Sequence, residues 1–158
     1  MARPRRVRVK SLYQPDVFDE LQRRIDRLGP DSKPLWGRMD VAQALAHCAM
    51  AMENALGDTV LPRHALGRLL GGRAKRSLIV SGIPMQRSAP THPSVLVQDV
   101  RDFEFERMHL LRALARFVTG GPAACTPHPH FFFGAMTPEE WAIFMYIHLD
   151  HHLRQFQT

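Results

Sequence analysis

Apolar residues recur three and four positions apart in four long segments of this chain, and nowhere do apolar and polar residues alternate convincingly as in a half-buried strand. The four segments are residues 15–28, 40–56, 99 or 102–119, and 137–155. A hydrophobic content of 45% is enough for a packed core, and 158 residues fit one domain. The spacing therefore predicts an all-α fold built on four long helices.

Capping signals mark where these helices begin and end. Asp40 stands three residues before Gln43, which is the spacing of a capping box. The clearest start is Thr137 as the cap, Pro138 at the first helical position and Glu140 three residues after the cap. Glycine follows the first three segments and is typical of a helix end. The second segment is apolar nearly all round, so we expect that helix to be buried on most sides.

The stretch between the second and third long helices is less regular. It contains a short basic helix around residues 64–76, interrupted at Gly71-Gly72, and then a run rich in Ser, Gly and Pro over residues 77–93. We interpret this stretch as a crossover within one domain, because neither side of it could form a core alone. The predicted architecture is a four-helix bundle over residues 11–158 with a long crossover between helices 2 and 3.

The net charge of +6 is concentrated at one end of the sequence. Residues 1–10 contain five basic residues and no acidic residue, which leaves 16 basic against 15 acidic residues elsewhere. A block of like charges repels itself and stays extended, so we interpret residues 1–10 as a basic, flexible, solvated arm. A near-neutral domain behind such an arm does not predict nucleic-acid binding.

Composition also bears on the compartment. No stretch approaches the roughly 18–20 apolar residues of a membrane span, and residues 1–10 lack the apolar run of a signal peptide. Cys48 and Cys125 form neither a C-x-x-C motif nor a disulfide framework. We therefore expect a reduced, cytoplasmic protein that does not enter a membrane.

Histidine is the unusual residue of this composition, with nine in the chain. His148 and His152 lie one turn apart on the predicted inner face of the last helix, where their Cβ atoms would be roughly 5–6 Å apart. Two imidazoles in this position can bind one metal ion. They are equally consistent with hydrogen-bonded core histidines, or with solvated histidines that favour the helix C-terminus.

A third histidine lies in the middle of the second helix. His47 is surrounded by Ala44, Met50 and Ala51, and a lone histidine on an apolar helix is more often a core residue than a ligand. If the second and fourth long helices face each other, His47 comes opposite the His148/His152 pair. Three imidazoles with an open fourth position are typical of a catalytic zinc-type site. Cys48 points about 100° away from His47 and cannot face the same ion.

Two motifs in this chain resemble those of a known superfamily. Residues 36–47 (Trp-Gly-Arg-Met-Asp-Val-Ala-Gln-Ala-Leu-Ala-His) and the ending His148-x-x-x-His152-x-x-Gln155 are similar to the helix-two and helix-four motifs of the DinB/YfiT-like superfamily. Gly-Gly-Pro at 120–122, His-Pro-His-Phe at 128–131 and Thr-Pro-Glu-Glu-Trp at 137–141 extend the likeness. Within that superfamily the chain most resembles a subfamily of unknown function, over residues 11–156.

The resemblance implies a four-helix bundle that holds a divalent metal, usually zinc or nickel, on His47, His148 and His152. It also implies, for some members, a low-molecular-weight thiol as cosubstrate, such as bacillithiol, mycothiol or glutathione. His151 is an additional histidine inside the motif, and a rotated helix would place it in the position of His152.

Further residues are candidates for roles around this site. His130 is the catalytic candidate, as an acid or base at the mouth of the site, and His128 is a weaker candidate for the same role. Gln155 and Asp150 could orient metal-bound imidazoles, although Asp150 is equally compatible with the surface. The remaining residues are interpreted as core (Trp36, Trp141), as a plug or apolar wall (residues 131–133), and as a solvated basic face (Arg63, Arg68, Arg73, Lys75, Arg76).

These observations favour a metal-dependent enzyme that acts on a small-molecule substrate. The metal would activate either water, in a hydrolase, or a low-molecular-weight thiol, in a thiol S-transferase. Two alternatives are a non-catalytic metal-binding protein with the same three ligands, and a helical interaction module with structural histidines. A homodimer is compatible with a bundle of this size, but no residue argues for it.

Overall fold

A computed structural model describes residues 9–87, 89 and 91–158. Within these residues the chain forms five α-helices and no β-strand: α1 (Pro15–Asp26), α2 (Val41–Leu56), α3 (Ala65–Lys75), α4 (Phe103–Gly120) and α5 (Pro138–Gln155). The predicted all-α class is confirmed. Most of the predicted basic arm, residues 1–8, lies outside the described residues.

The predicted helix starts are confirmed at α2 and α5. The Asp40 side chain accepts a hydrogen bond from the backbone N–H of Gln43, and the Gln43 side chain accepts one from the backbone of Asp40. Thr137 and Glu140 form the same reciprocal pair at the start of α5. Each pair satisfies backbone donors that the first helical turn leaves without partners. Both helices therefore begin at sharply defined residues.

Four of the five helices surround the main apolar core. α2 packs chiefly against α4 and also against α5, while α1 packs against both α4 and α5. α2 is buried on most sides, as its composition predicts. Fully buried side chains from all four helices meet in this core: Leu21, Ile25, Met52, Leu110, Leu114, Phe117, Trp141, Met145 and Leu149.

The crossover is more helical than the sequence predicts. α3 runs without a break through Gly71 and Gly72, so the predicted interruption is wrong. The reason is tertiary: a Cβ atom on Gly71 would collide with the backbone of Phe132, so this glycine permits close packing rather than a turn. Beyond α3 the chain forms a π-helical turn (Arg76–Val80) and, later, a 3₁₀ turn (Pro93–Val95).

A polar cluster joins α2 to α4 on the outer side of the core. His109 on α4 lies between two carboxylates, with Nε2 2.6 Å from Glu53 and Nδ1 3.1 Å from Glu106. Glu106 is only 2% exposed and also accepts from Arg101 at 3.1 Å. Partial burial disfavours the charged imidazole, but the bonds to Glu53 and Glu106 outweigh burial and raise the pKa of His109.

None of the helices in the described residues is long and apolar enough to span a membrane.

Candidate metal centre

Three imidazoles from two helices meet inside the protein. α2 contributes His47, and α5 contributes His148 and His152 from successive turns of one face. The three ring centroids form a nearly equilateral triangle, with separations of 4.9, 4.9 and 4.8 Å. Each ring offers one nitrogen to a common point, and these nitrogens all lie within 4.8 Å of one another. This arrangement brings together the three metal ligands that the sequence predicts.

The orientation of His47 is determined by a backbone carbonyl. Its Nδ1 lies 2.7 Å from the oxygen of Val95, in the 3₁₀ turn that follows the crossover. A carbonyl can only accept, so Nδ1 carries the proton and donates it. In the neutral ring Nε2 therefore carries the lone pair, and it accepts a hydrogen bond from the Nε2 of His148 at 3.0 Å.

His152 is oriented by a side-chain amide. The Nε2 of Gln155 donates to the backbone oxygen of Trp36 at 2.6 Å, so its Oε1 is left to accept from the Nδ1 of His152 at 2.8 Å. This arrangement leaves the Nε2 of His152 unprotonated. Hydrogen bonds of this kind commonly fix the tautomer and the ring orientation of metal-binding histidines.

Electrostatics keep the three rings uncharged. Burial lowers the pKa of His47, against the opposing effect of its bond to Val95. Burial and the neighbouring imidazoles lower the pKa of His148 well below its ordinary value, and lower that of His152 to about 3. Near neutral pH all three rings are therefore neutral, which is the form that coordinates metal.

The spacing and chemistry of this group fit a divalent ion. Nitrogens bound to a tetrahedral zinc at about 2.0–2.1 Å lie about 3.3 Å apart. The Nε2 atoms of His47 and His148 are 3.0 Å apart, and the ligand nitrogens of all three histidines lie within 4.8 Å of one another, so small ring movements would bring them to one ion. No other His, Cys, Asp or Glu side chain in the described part of the chain belongs to the group. His47, His148 and His152 could thus hold a metal ion and leave a coordination position free.

The centre borders a cavity of about 520 Å³. His47 and His148 form part of its wall, together with aromatic side chains and the segment that connects α3 to α4. His130 also lines it: its ring is 5% exposed and packs against Phe133, Trp141 and Phe144 at centroid distances of 4.6, 5.3 and 5.1 Å. The cavity would give a small molecule access to the open side of the centre.

Comparison with known proteins gives a family and no activity. A family described as a protein of unknown function, DUF1569, matches residues 7–158. The chain belongs to this family. No curated protein and no solved structure matches it.

The structure distinguishes between the neighbouring histidines of the DUF1569 chain. His152 belongs to the metal group, whereas the ring of His151 packs edge-on against Trp36 at 5.5 Å. Cys48 lies in the apolar core, away from the group, as predicted. Burial also raises the pKa of the Cys48 thiol, which makes it a poor nucleophile.

The other predicted site residues of the DUF1569 chain divide into those near the centre and those away from it. Asp150 pairs with Arg24 at 2.8 Å and with Arg154 at 2.9 Å, and it makes no hydrogen bond to a ligand histidine.

His128 is exposed and does not line the cavity. Trp141 is buried in the core and forms part of the cavity wall, while Trp36 is half-buried with Arg87 over its ring at 4.2 Å. Residues 131–133 line the cavity.

Sequence reasoning missed two residues of the DUF1569 site. Val95 orients His47 through its carbonyl, and His92 lines the cavity. A backbone acceptor has no sequence signature, because any residue in that turn supplies the same oxygen. His92 left a weak signal in the sequence, because it is one of only nine histidines in the chain and it lies before a proline in the crossover.

Proposed function

We propose that this protein is a metal-dependent enzyme of the DinB/YfiT-like type, with His47, His148 and His152 holding a divalent ion, zinc or nickel. The observation that carries the proposal is the convergence of three neutral imidazoles beside a cavity, with His47 oriented by Val95 and His152 by Gln155. Four helices packed around one core support the bundle part of the proposal.

A catalytic role is favoured over a structural one by what surrounds the ligands. Structural zinc sites are closed by four protein ligands, whereas catalytic sites have three and an open position. Here three side chains form the group within the described residues, and a cavity adjoins two of them. A bound divalent ion supplies Lewis acidity, which lowers the pKa of a water or thiol and polarises an electrophile.

The chain's own residues would then perform three tasks. The three histidines would hold the ion, and the Nδ1 hydrogen bonds of His47 and His152 keep those two rings from turning. Phe131, Phe133 and Phe144 form an apolar wall that packs against the substrate and excludes bulk water. His130, the predicted acid or base, lies on that same wall.

The cavity wall favours water over a low-molecular-weight thiol as the nucleophile. No Asp, Glu, Lys or Arg is among the described residues that line it. Glutathione carries an ammonium group beside its carboxylates, and burying that ammonium against a wall without an acidic residue is costly. Hydrolysis of an apolar ester or amide needs no such partners, so we propose a hydrolase, with thiol transfer as the second candidate.

The experiment that tests the metal centre is elemental analysis of untagged protein purified without chelator. We expect about one divalent ion per chain in the native protein and almost none in His152→Ala, because two ligands bind far more weakly than three. His151→Ala and His128→Ala are the matched controls, since one is the adjacent residue and the other is exposed, and both should keep the ion. A native protein without metal after incubation with zinc or nickel and desalting would overturn the proposal.

Turnover then separates the two reaction classes. Metal-loaded native protein should hydrolyse 4-nitrophenyl butyrate, and His152→Ala should not. Conjugation of glutathione to 1-chloro-2,4-dinitrobenzene, without ester hydrolysis, would favour the thiol transferase. Full metal loading without turnover of either substrate would favour a non-catalytic metal-binding protein.

A further inference from the structure

Backbone hydrogen bonds determine which ring nitrogen carries the proton in two histidines of the cavity wall. The Nδ1 of His130 accepts hydrogen bonds from the backbone N–H groups of Phe132 and Phe133, both at 3.1 Å. The Nδ1 of His92 accepts from the backbone N–H of Ser94, also at 3.1 Å. A neutral imidazole has one donor and one acceptor. Both rings therefore carry their proton on Nε2.

His130 and His92 can therefore act as hydrogen-bond donors to a molecule bound in the cavity. Both residues line it, and both pack against Phe131, at centroid distances of 4.5 and 5.1 Å. A third donor lies nearby: the indole Nε1 of Trp141, which also lines the cavity, is buried and has no hydrogen-bond partner within the described residues. The side chain of Trp141 is 1% exposed, so water does not readily satisfy this N–H.

The chain segment that forms much of the cavity wall is positively charged, which also favours an anionic ligand. Residues 59–98 provide much of the cavity wall and contain six basic residues and no acidic residue. Residues 11–58 and 99–158 together contain ten basic and 15 acidic residues, so the segment at the cavity is positive against a negative remainder. A positive segment beside an apolar, low-dielectric cavity raises the local concentration of anions.

We infer that this cavity binds an apolar monocarboxylate, whose oxygens accept from His130 and His92 while its hydrocarbon body packs among Phe131, Phe133 and Phe144. The inference rests on the proposed function, because an apolar acid is the product that hydrolysis of an apolar ester or amide would leave. The wall offers a carboxylate N–H donors and no acidic neighbour. An ammonium group of the same size meets no carboxylate there.

The test compares three probes with one apolar body: 3-phenylpropanoate, 3-phenylpropanol and 3-phenylpropylammonium. Isothermal titration of each into the native protein should give the carboxylate an affinity at least about tenfold above that of the ammonium probe, since charge-assisted hydrogen bonds are the stronger ones. Equal affinities, or a preference for the ammonium probe, would overturn the inference.

Substitution with asparagine isolates the donor atoms. In His130→Asn the side-chain oxygen takes the place of Nδ1 and still accepts from the backbone of the Phe132–Phe133 turn, but the Nε2 donor is gone. His92→Asn does the same at the 3₁₀ turn, and asparagine is itself a good capping residue there. Each variant should lose about tenfold in affinity for 3-phenylpropanoate and little for 3-phenylpropanol. His128→Asn, which alters an exposed histidine, should change neither affinity.

Metal content measured on the same samples separates this inference from the proposed function. Protein that retains zinc but shows no preference for the carboxylate would overturn the inference alone. Protein that holds no metal but still prefers the carboxylate, and loses that preference in His130→Asn, would overturn the proposed function alone. Unchanged carboxylate affinity in both asparagine variants would show that these histidines do not contact the ligand.

Discussion

Gln155 accepts a hydrogen bond from His152, and the same amide donates to the backbone oxygen of Trp36. A side chain just three residues beyond a candidate metal ligand thus links that histidine to a loop before α2. The amide is buried and has both of its polar atoms engaged. Its orientation is therefore determined by the fold rather than by the imidazole that it holds.

We expect Gln155→Leu to weaken metal binding without removing a ligand. Loss of the acceptor frees His152 to turn and to change tautomer, which typically costs about 10–100-fold in metal affinity. Zinc affinity measured by competition with a chromophoric chelator checks this. Gln98→Leu, at an exposed position, should bind zinc like the native protein. Native affinity in Gln155→Leu would mean that the imidazole does not need this bond.

We expect Gly37→Ala to weaken metal binding indirectly, by displacing Gln155. Gly37 has a φ of 82°, and a Cβ atom there would lie 2.7 Å from the Nε2 of Gln155. The substitution strains the backbone by about 1–2 kcal/mol and pushes the amide out of place. We expect both a lower melting temperature and weaker zinc binding, measured by calorimetry and chelator competition. Gly29→Ala, where no atom lies within 4 Å of the added methyl, should leave zinc binding unchanged.

The two adjacent glycines of α3 should respond in opposite directions to alanine. At Gly71 the added methyl meets the backbone of Phe132, and we expect a loss of about 1–3 kcal/mol in the free energy of unfolding. At Gly72 no atom lies within 4 Å, and alanine should stabilise the helix by about 0.5–1 kcal/mol. Urea unfolding of both variants measures this difference. Equal effects would contradict the close packing of α3 on the Phe132 turn.

We expect the stabilising contribution of His109 to decrease as the pH rises. Its pKa in the folded protein lies above the value of about 6.5 in the unfolded chain. The charged ring therefore contributes stability that is fully present below about pH 6.5 and is lost as the pH rises through the raised value. Because the lowered pKa values of His47, His148 and His152 give the opposite pH dependence in both proteins, the quantity to follow is the difference in the free energy of unfolding between the native protein and His109→Gln, which should shrink as the pH rises from 6 to 9. Identical pH profiles for the two would contradict the proposed charge of His109.

The boundaries of α2 and α5 could be predicted because their capping signals are local. Asp40 with Gln43, and Thr137 with Glu140, need no partner outside their own turn. The continuous course of α3 could not be predicted, because Gly71 owes its role to Phe132, which lies 61 positions later in the sequence. Glycine in a sequence indicates either a turn or a close approach, and only the packing distinguishes the two.

The same distinction applies to the site. His148 and His152 were recognisable from their spacing on one helix face, whereas the choice between His151 and His152 depends on how α5 is rotated in the core. The hydrogen-bond donors of the cavity could not be predicted for another reason. Which nitrogen of His130 carries the proton depends on two backbone N–H groups in a turn, and no residue type encodes that turn.

His47 and His148 are 101 residues apart in sequence, although their Nε2 atoms are 3.0 Å apart. During synthesis, α1 to α4 can begin to fold before α5 has left the ribosome, but at that stage the chain offers one ligand instead of three. If the chain binds an ion as proposed, it would capture that ion tightly only after α5 has docked, so metal uptake would report that folding is complete. A chain of this design would then compete for a divalent ion only as finished protein, and not as a nascent one.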